Sequence, residues 1–398
     1  MLLDYKGKTR ENMREYSDVV IIGAGASGLL CGGILASSGF LVTILEKNDR
    51  VGKKLSATGN GRCNFTNQNM SAGQFYGDNQ WVERVLDGYG PDEIIKQLEE
   101  IGIYHREKDG YVYPFTNQAA VVVEILERYC IDNRADIVLG CKATSIINMK
   151  EKDQYRIRTP EGEIRCRYVI LAAGGKASKE LGGDGSGYIL AKSLGHRMQS
   201  IFPGLTGLIC RGRFWKQVAG TRVQGRFSLI IDNQVTEGEC GEIQITKDGV
   251  SGIPVFQLCR VAAQAIAEGR VVEGQIDFVP AMTEEELVQW IKKFGISGLV
   301  QKKWCTYFQS RAEIVRNLKA FRFPVESTFG MERAQVTAGG ILTEEVCPET
   351  LESLFNPHLF LLGEILDVDG KCGGYNLHLA FTCACRAAAE INKKEQGE

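Results

Sequence analysis

Apolar residues along this chain fall into unbroken runs, alternating runs and stripes at helical spacing, and each kind predicts a different element. Val19 to Ile22 is unbroken, the pattern of a strand buried on both faces. It runs into Gly23-Ala24-Gly25-Ala26-Ser27-Gly28, and a second unbroken run, Leu41 to Leu45, ends on Glu46. The order is strand, glycine turn, helix, strand. From Trp81 to Gly102, the residues Trp81, Val85, Leu86, Ile94, Ile95, Leu98 and Ile101 form a helical stripe, with Pro91 opening its second half. Tyr111 to Pro114 predicts a short strand and residues 117–133 a further amphipathic helix.

The middle of the chain alternates. Residues 137–143, 155–159 and 163–166 predict a small β-meander leading into Tyr168 to Gly175, an apolar run that ends in small residues. Such an ending leaves room for a ligand beyond a parallel strand. Between Pro203 and Ile245, short runs at 205–209, 218–223 and 227–231 are separated by turn residues and predict an inserted antiparallel β subdomain. Thr283 and the acids after it open an amphipathic helix reaching Gly295, part of a small helical cap that extends to about Phe321. Leu359 to Leu362 predicts another buried strand, and a helix from about Asn376 to Ile391 closes the chain.

Composition narrows the function classes. At 398 residues the chain has length for two or three domains, and 44% hydrophobic with 24% charged residues is ordinary for a globular protein. A net charge of −2 gives no sign of a nucleic-acid or membrane partner. No apolar run approaches the roughly 20 residues of a membrane span. Residues 1–16 mix Lys6, Lys8, Arg10 and Arg14 with acids and lack the apolar centre of a signal peptide, so they read as a flexible tail on a cytoplasmic protein. The 13 cysteines are scattered and odd in number, which implies reduced thiols. Neither they nor the four histidines have metal-ligand spacing, and no metal site is predicted.

The glycine spacing carries the chemistry. Gly23 permits the turn out of the strand, Gly25 lets backbone approach a pyrophosphate, and Gly28 lets helix and sheet pack closely. The new helix presents its N–H groups to the phosphates. Glu46, roughly 20 residues on, suits a ribose 2′-OH and disfavours a 2′-phosphate, which leaves FAD and NAD. The bland alternative is an ordinary βαβ turn. Three more segments bear on the choice: the basic loop with Lys53, Lys54, Arg62 and the Gly59-Asn60-Gly61 turn, the end of the Ala172-Ala173-Gly174-Gly175 strand, and Gly363-Glu364 with the Gly373-Gly374 helix start. FAD is long enough to need all of them. The glycine-rich stretch 181–195 does not follow a strand directly, and no second fingerprint for a pyridine nucleotide is found.

These segments resemble one family. GAGASG, GKKLSATGNGRCNFTN, YVYPFTNQAAVVV, GDGSGYILAKSLGH, DGVSGIPVFQL, VTAGGI and LLGEILDVDGKCGGYNLHLAF are similar to the BaiN-type, aminoacetone-oxidase-like FAD flavoproteins, over about Ser17 to Ala389. The resemblance implies an α/β fold: a Rossmann-like, glutathione-reductase-like FAD domain at 17–200 and 335–398. A β-barrel-like subdomain is inserted at 201–254 and 322–334, with a helical subdomain nested at 255–321. It places FAD on Gly23, Ala24, Gly25, Ala26, Ser27, Gly28, Glu46, Lys47, Lys54, Arg62, Asn64, Ala143, Ala173, Gly174, Gly175, Gly363, Glu364, Asp367, Gly373, Gly374, Tyr375, Asn376 and Leu377.

The implied activity is an FAD-dependent oxidoreductase acting on a small molecule. One form reduces a conjugated C=C in an oxo-bile-acid-like or other enone through flavin N5, with NADH or NADPH as a transient donor. The alternatives are an aminoacetone-like amine oxidase using oxygen, and a flavin-dependent RNA-modifying or non-catalytic flavin-binding protein. Tyr375 and His378 flank the flavin-edge motif and are the candidate acids. Cys63 and Cys372 lie in the same loops and read as buried small residues rather than a redox pair, having no CxxC partner. Oligomeric state is left open.

Overall fold

A computed structural model of the protein describes residues 13–150, 154–309 and 313–397. Of the expected tail at 1–16, residues 1–12 lie outside the described residues. The chain divides into two units, residues 1–201 with 337–398, and residues 202–336.

Five strands of the first unit run parallel, in the order Asp136–Leu139, Val42–Glu46, Tyr16–Ile22, Gly162–Leu171 and Leu359–Leu361. Their C-terminal ends are level, in the row Val138, Leu45, Ile22, Leu171 and Leu361. The unbroken apolar pattern has its reason here: Val19, Val20 and Ile21 are fully buried. Helix Ala26–Ser37 packs against the closing helix Tyr375–Gln396. Strand order reverses between Tyr16–Ile22 and Gly162–Leu171, and ligands of open α/β sheets bind outside the strand ends at such a switch point.

The meander differs from expectation at both ends. Residues 137–139 belong to the parallel sheet, because helix Ala119–Asp132 supplies the long crossover that parallel pairing needs. The true meander is Ser145–Met149, Gln154–Thr159 and the first half of Gly162–Leu171. That last strand is one element of ten residues rather than two. Its first half pairs antiparallel on one side and alternates in burial, while Val169, Ile170 and Leu171 pair parallel on both sides and are fully buried.

In the second unit, six antiparallel strands close into a barrel: Arg222–Ile231, Glu239–Ile245, Gly249–Ser251, Leu208–Cys210, Phe321–Thr328 and Val272–Asp277, which returns to the first. The expected strand at 218–223 begins instead with a helical turn, Trp215–Val218. The expected cap at 255–321 is also corrected. Its first part is helix Ile253–Ala267 followed by the barrel strand Val272–Asp277, whose every second residue is buried. The cap proper is Glu284–Phe294, Lys302–Gln309 and Ile314–Lys319. Its first helix carries the full capping box, the Thr283 hydroxyl and the Glu286 carboxylate each accepting the other residue's N–H. Among the described residues no helix is long and apolar enough to cross a membrane.

Candidate functional site

The glycine turn sits at the switch point, and each glycine has a different reason. Gly23 has φ +110°, and a Cβ there would lie 2.4 Å from the Ala172 carbonyl oxygen on the neighbouring strand. A Cβ on Gly28 would lie 2.0 Å from the Gly23 oxygen. Gly25 is the opposite case, with no atom within 4 Å of a Cβ position, so its side of the turn is open. The helix that follows has neither a side-chain cap nor an acid in its first turn. Leu29 N–H bonds to Gly25 O, so the N–H groups of Ala26, Ser27 and Gly28 are left to the space beyond the helix end.

Glu46 closes the second strand and is buried, 7% exposed. One carboxylate oxygen accepts the Ala24 N–H at 2.9 Å, and the other accepts the Asn48 N–H at 2.8 Å and its Nδ2 at 2.6 Å. The carboxylate thus ties the glycine turn to the adjoining strand end. Lys47 donates to Asp184, whose second oxygen accepts from Lys142 at 2.9 Å. Burial opposes ionisation of Asp184, but the Lys47, Ser186 and Lys142 donors outweigh it and hold the carboxyl well below the usual range. Ala143 lies buried one residue on. The 182–187 loop is therefore pinned across the ends of two parallel strands.

The basic loop is less cationic than its composition suggested. Lys53 pairs with Asp49 at 2.7 Å and Lys54 with Glu364 at 2.6 Å, while Arg62 is exposed. Glu364 also accepts the Thr337 N–H at 2.9 Å. The Thr337 hydroxyl accepts the N–H groups of Lys176 and Ala177 at 2.8 and 2.9 Å. A Cβ on Gly175 would lie 2.3 Å from that hydroxyl and 2.7 Å from Glu364. Three distant segments meet at this point. Helix Lys53–Gly61 breaks at Thr58, and Asn60 and Cys63 hold left-handed backbone, φ 55° and 58°, a strain that clusters at functional loops. Both polar side-chain atoms of Asn64 are shut off from solvent and find no partner among the described residues.

The closing helix starts at Tyr375 without a side-chain cap on Gly374. The Asn376 carboxamide accepts the Gly370 N–H at 2.8 Å and donates to the Gly370 oxygen at 2.7 Å, which ties the start of the closing helix to the strand before it. Leu377 packs on the core. Tyr375 is 7% exposed, edge-on to Phe75. Burial, helped by Tyr111, raises its phenol above the ordinary value. Gly363 faces Ser27, and Asp367 N–H bonds to Ile341 O at 2.8 Å.

His378 is corrected as a candidate acid. It is wholly buried, and both ring nitrogens are engaged, Nδ1 with Thr66 Oγ1 at 2.8 Å and Nε2 with the Tyr89 oxygen at 3.0 Å. Burial lowers its pKa to about 4. A ring so enclosed has no route for passing a proton to a substrate. Burial likewise raises the Cys63 thiol to about 12 and Cys372 above its usual value, the reverse of a reactive thiolate.

Thr337, Thr66, Asn67 and Asp184 also stand at the site, unmarked by the sequence. All four lie inside strings that carry the resemblance, yet none is a residue type that marks a site by itself. FAD fits what is present: an open Gly25, two uncapped helix starts, and a buried Asn64 carboxamide that has both a donor and an acceptor to offer.

Comparison with known proteins agrees. The HI0933-like protein Rossmann domain family matches residues 17–390. A 3-dehydro-bile acid delta(4,6)-reductase of Clostridium scindens is 37% identical, covering 93% of this chain and 98% of that protein. A ribosomal RNA dihydrouridine synthase of Haemophilus influenzae is 26% identical, covering 96% and 100%. In fold, the chain is similar to the 3-ketosteroid delta1-dehydrogenase of Sterolibacterium denitrificans, with a TM-score of 0.55 over 96% of this chain and all of that one, at 12% identity. A sheet whose switch point, glycine turn and uncapped helices suit FAD, together with a family match over nearly its whole length, makes the chain a member of the HI0933-like Rossmann family and an FAD-dependent oxidoreductase.

Proposed function

We propose that the protein reduces a carbon–carbon double bond conjugated to a carbonyl, in a steroid-like or other small enone, with NADH or NADPH as electron source. The carrying observation is the 37% identity to a bile-acid enone reductase over 98% of that protein's length. The RNA-acting relative supports the same chemistry from another direction, because the uracil bond whose reduction gives dihydrouridine is itself conjugated to a carbonyl. A net charge of −2 offers little to a phosphate backbone and favours the small molecule. Thiols outside any disulfide suit a reducing cytoplasm.

When bound, FAD supplies hydride exchange at N5. The rest falls to the chain. The N–H groups after Gly25 would hold the pyrophosphate and Glu46 the adenosine ribose, while the Lys54–Glu364–Thr337 cluster ties the 175–177 segment to the 364 turn. The positive end of the closing helix would stabilise negative charge on the reduced flavin. Reduction of an enone adds hydride at the β carbon and needs a proton at the α carbon. Tyr375 is the proposed donor, since a phenol held above its ordinary value keeps its proton until an enolate asks for it. Tyr375→Phe should retain FAD and lose turnover by about 10²-fold, the lower end of general-acid catalysis. Unchanged turnover would return Tyr375 to packing against Phe75.

The function is tested by the visible spectrum under anaerobic conditions. NADH or NADPH should bleach the flavin and an enone steroid should restore it. Bleaching by an amine with recovery only in air would make the protein an oxidase. Recovery with a uridine-containing rRNA fragment but not with the steroid would move the substrate to RNA.

A further inference from the structure

The His378 ring belongs to a relay. A carbonyl oxygen can only accept, so the 3.0 Å contact with Tyr89 O requires a hydrogen on Nε2. In the neutral ring Nδ1 is then bare, and the Thr66 hydroxyl must be the donor across the 2.8 Å contact. Protonating both nitrogens is disfavoured twice over: the ring is wholly buried, and it lies in the first turn of a helix, at the positive end of its dipole. One tautomer and one hydroxyl orientation remain.

Thr66 is fully buried and stands in the loop that carries Asn64. Its backbone pairs with Val112, and the next residue, Asn67, donates from Nδ2 to the Gly373 oxygen at 2.9 Å. A Cβ on Gly374 would lie 2.1 Å from Asn64 Oδ1 and 2.5 Å from the Thr66 oxygen. The 64–67 loop is thus pressed against the start of the closing helix and stitched to it on either side, by Asn67 at Gly373 and by Thr66 at His378. Between the stitches lies the Asn64 carboxamide, buried and unsatisfied among the described residues. A buried amide in that state destabilises the fold until something pairs with it.

We propose that His378, held as its Nε2–H tautomer, is a positioning residue: through Thr66 it holds the Asn64 carboxamide in place to hydrogen-bond the pyrimidine edge of the flavin, whose alternating donors and acceptors match an amide. The proposal rests on the FAD reading of the site. It gives His378 no contact with substrate, and its effect falls on the ring electronics of the cofactor.

The test uses the FAD-loaded protein. Thr66→Val removes the hydroxyl at nearly constant shape, and Thr66→Ser retains it. With Thr66→Val, FAD stoichiometry should hold, while the visible band shifts and the oxidised-to-reduced ratio at a fixed dye poise changes by about fivefold, the size of one net hydrogen bond. Thr66→Ser should restore both. Asn64→Leu should give the same shift, and the double variant no further one. Thr66→Val that lowers thermal stability but leaves spectrum and ratio unmoved would overturn the proposal and leave the FAD reading intact. Wild-type protein that takes up no FAD would overturn both. Independently of any variant, ¹⁵N-histidine NMR of the wild type should show one ring protonated at Nε2 and accepting at Nδ1. A δ-protonated or charged His378 ring, identified by the signal that disappears in His378→Gln, would also overturn it.

Discussion

Gly28→Ala should yield colourless, destabilised protein, whereas Gly25→Ala should yield stable protein that has merely lost its grip on FAD. The Cβ added at Gly28 would meet a backbone oxygen at 2.0 Å, and neither the turn nor the helix can yield without disturbing the packing between strand and helix. Overpacking of this kind costs about 3 kcal/mol, and the same displacement misdirects the N–H groups that hold the pyrophosphate. The Cβ at Gly25 meets no protein atom within 4 Å, so apoprotein stability should stay within about 0.5 kcal/mol of wild type. The space it enters is the space assigned to phosphate, and a steric cost of about 1–3 kcal/mol there weakens FAD binding by about 5- to 150-fold. Flavin-to-protein absorbance ratios together with thermal melts of the apoproteins separate the two outcomes. Equal melting points for the two variants would show that Gly28 is not a packing glycine.

Acidification should unfold the protein earlier than its carboxylates alone would explain. The His378 pKa is near 4 in the folded chain against 6.5 when unfolded. Above pH 6.5 the ring is neutral in both states and contributes no pH dependence. Between 6.5 and 4 the unfolded chain takes up a proton that the folded chain refuses, so stability falls with pH, by about 3 kcal/mol across that window. Burial also lowers His196, against the pull of Glu345, and that residue acts in the same direction. Asp184 and Glu345, held below their usual range, lose their stabilising ionisation only at lower pH. Urea unfolding of wild type and His378→Gln at pH 7 and pH 4.5 isolates the histidine, because the variant should be weaker at pH 7 but lose much less on acidification. Parallel pH slopes would mean that the ring is protonated in the folded protein.

The nucleotide-binding frame was legible because its signals are local. Strand, glycine turn, helix and acidic strand end all lie within 17–47, and the spacing of the glycines follows from sterics that any such turn must satisfy. Residues 137–139 were not legible in the same way. Three consecutive apolar residues suit a meander or a parallel edge equally, and the preceding crossover helix decides between them only once the sheet is assembled. The same holds for Val272–Asp277, which lies inside the 255–321 segment expected to be helical and alternates in burial only once the barrel is assembled. At the site, the types that announce chemistry misled in one case: His378 stands beside the flavin-edge motif in sequence, but its ring faces Thr66 and Tyr89, and neither its seclusion nor its tautomer is written in the spacing. Lys54 looked like a free cation until Glu364, some 300 residues on, was brought beside it. Thr337 is an ordinary threonine until three loops converge on its hydroxyl.

The parallel half of Gly162–Leu171 takes its second neighbour from Leu359–Leu361, and the whole of 202–336 lies between them in the chain. During synthesis the ribosome therefore releases Val169, Ile170 and Leu171 well before their partner exists. Until then this edge is apolar, unpaired and open to strands of other chains, and non-local pairing of this kind forms slowly. The barrel can close on its own residues while the sheet waits. Yield from rapid expression should accordingly depend on how long the nascent sheet stands open, and slower translation or a holding chaperone should raise recovery of the native protein without altering its final stability.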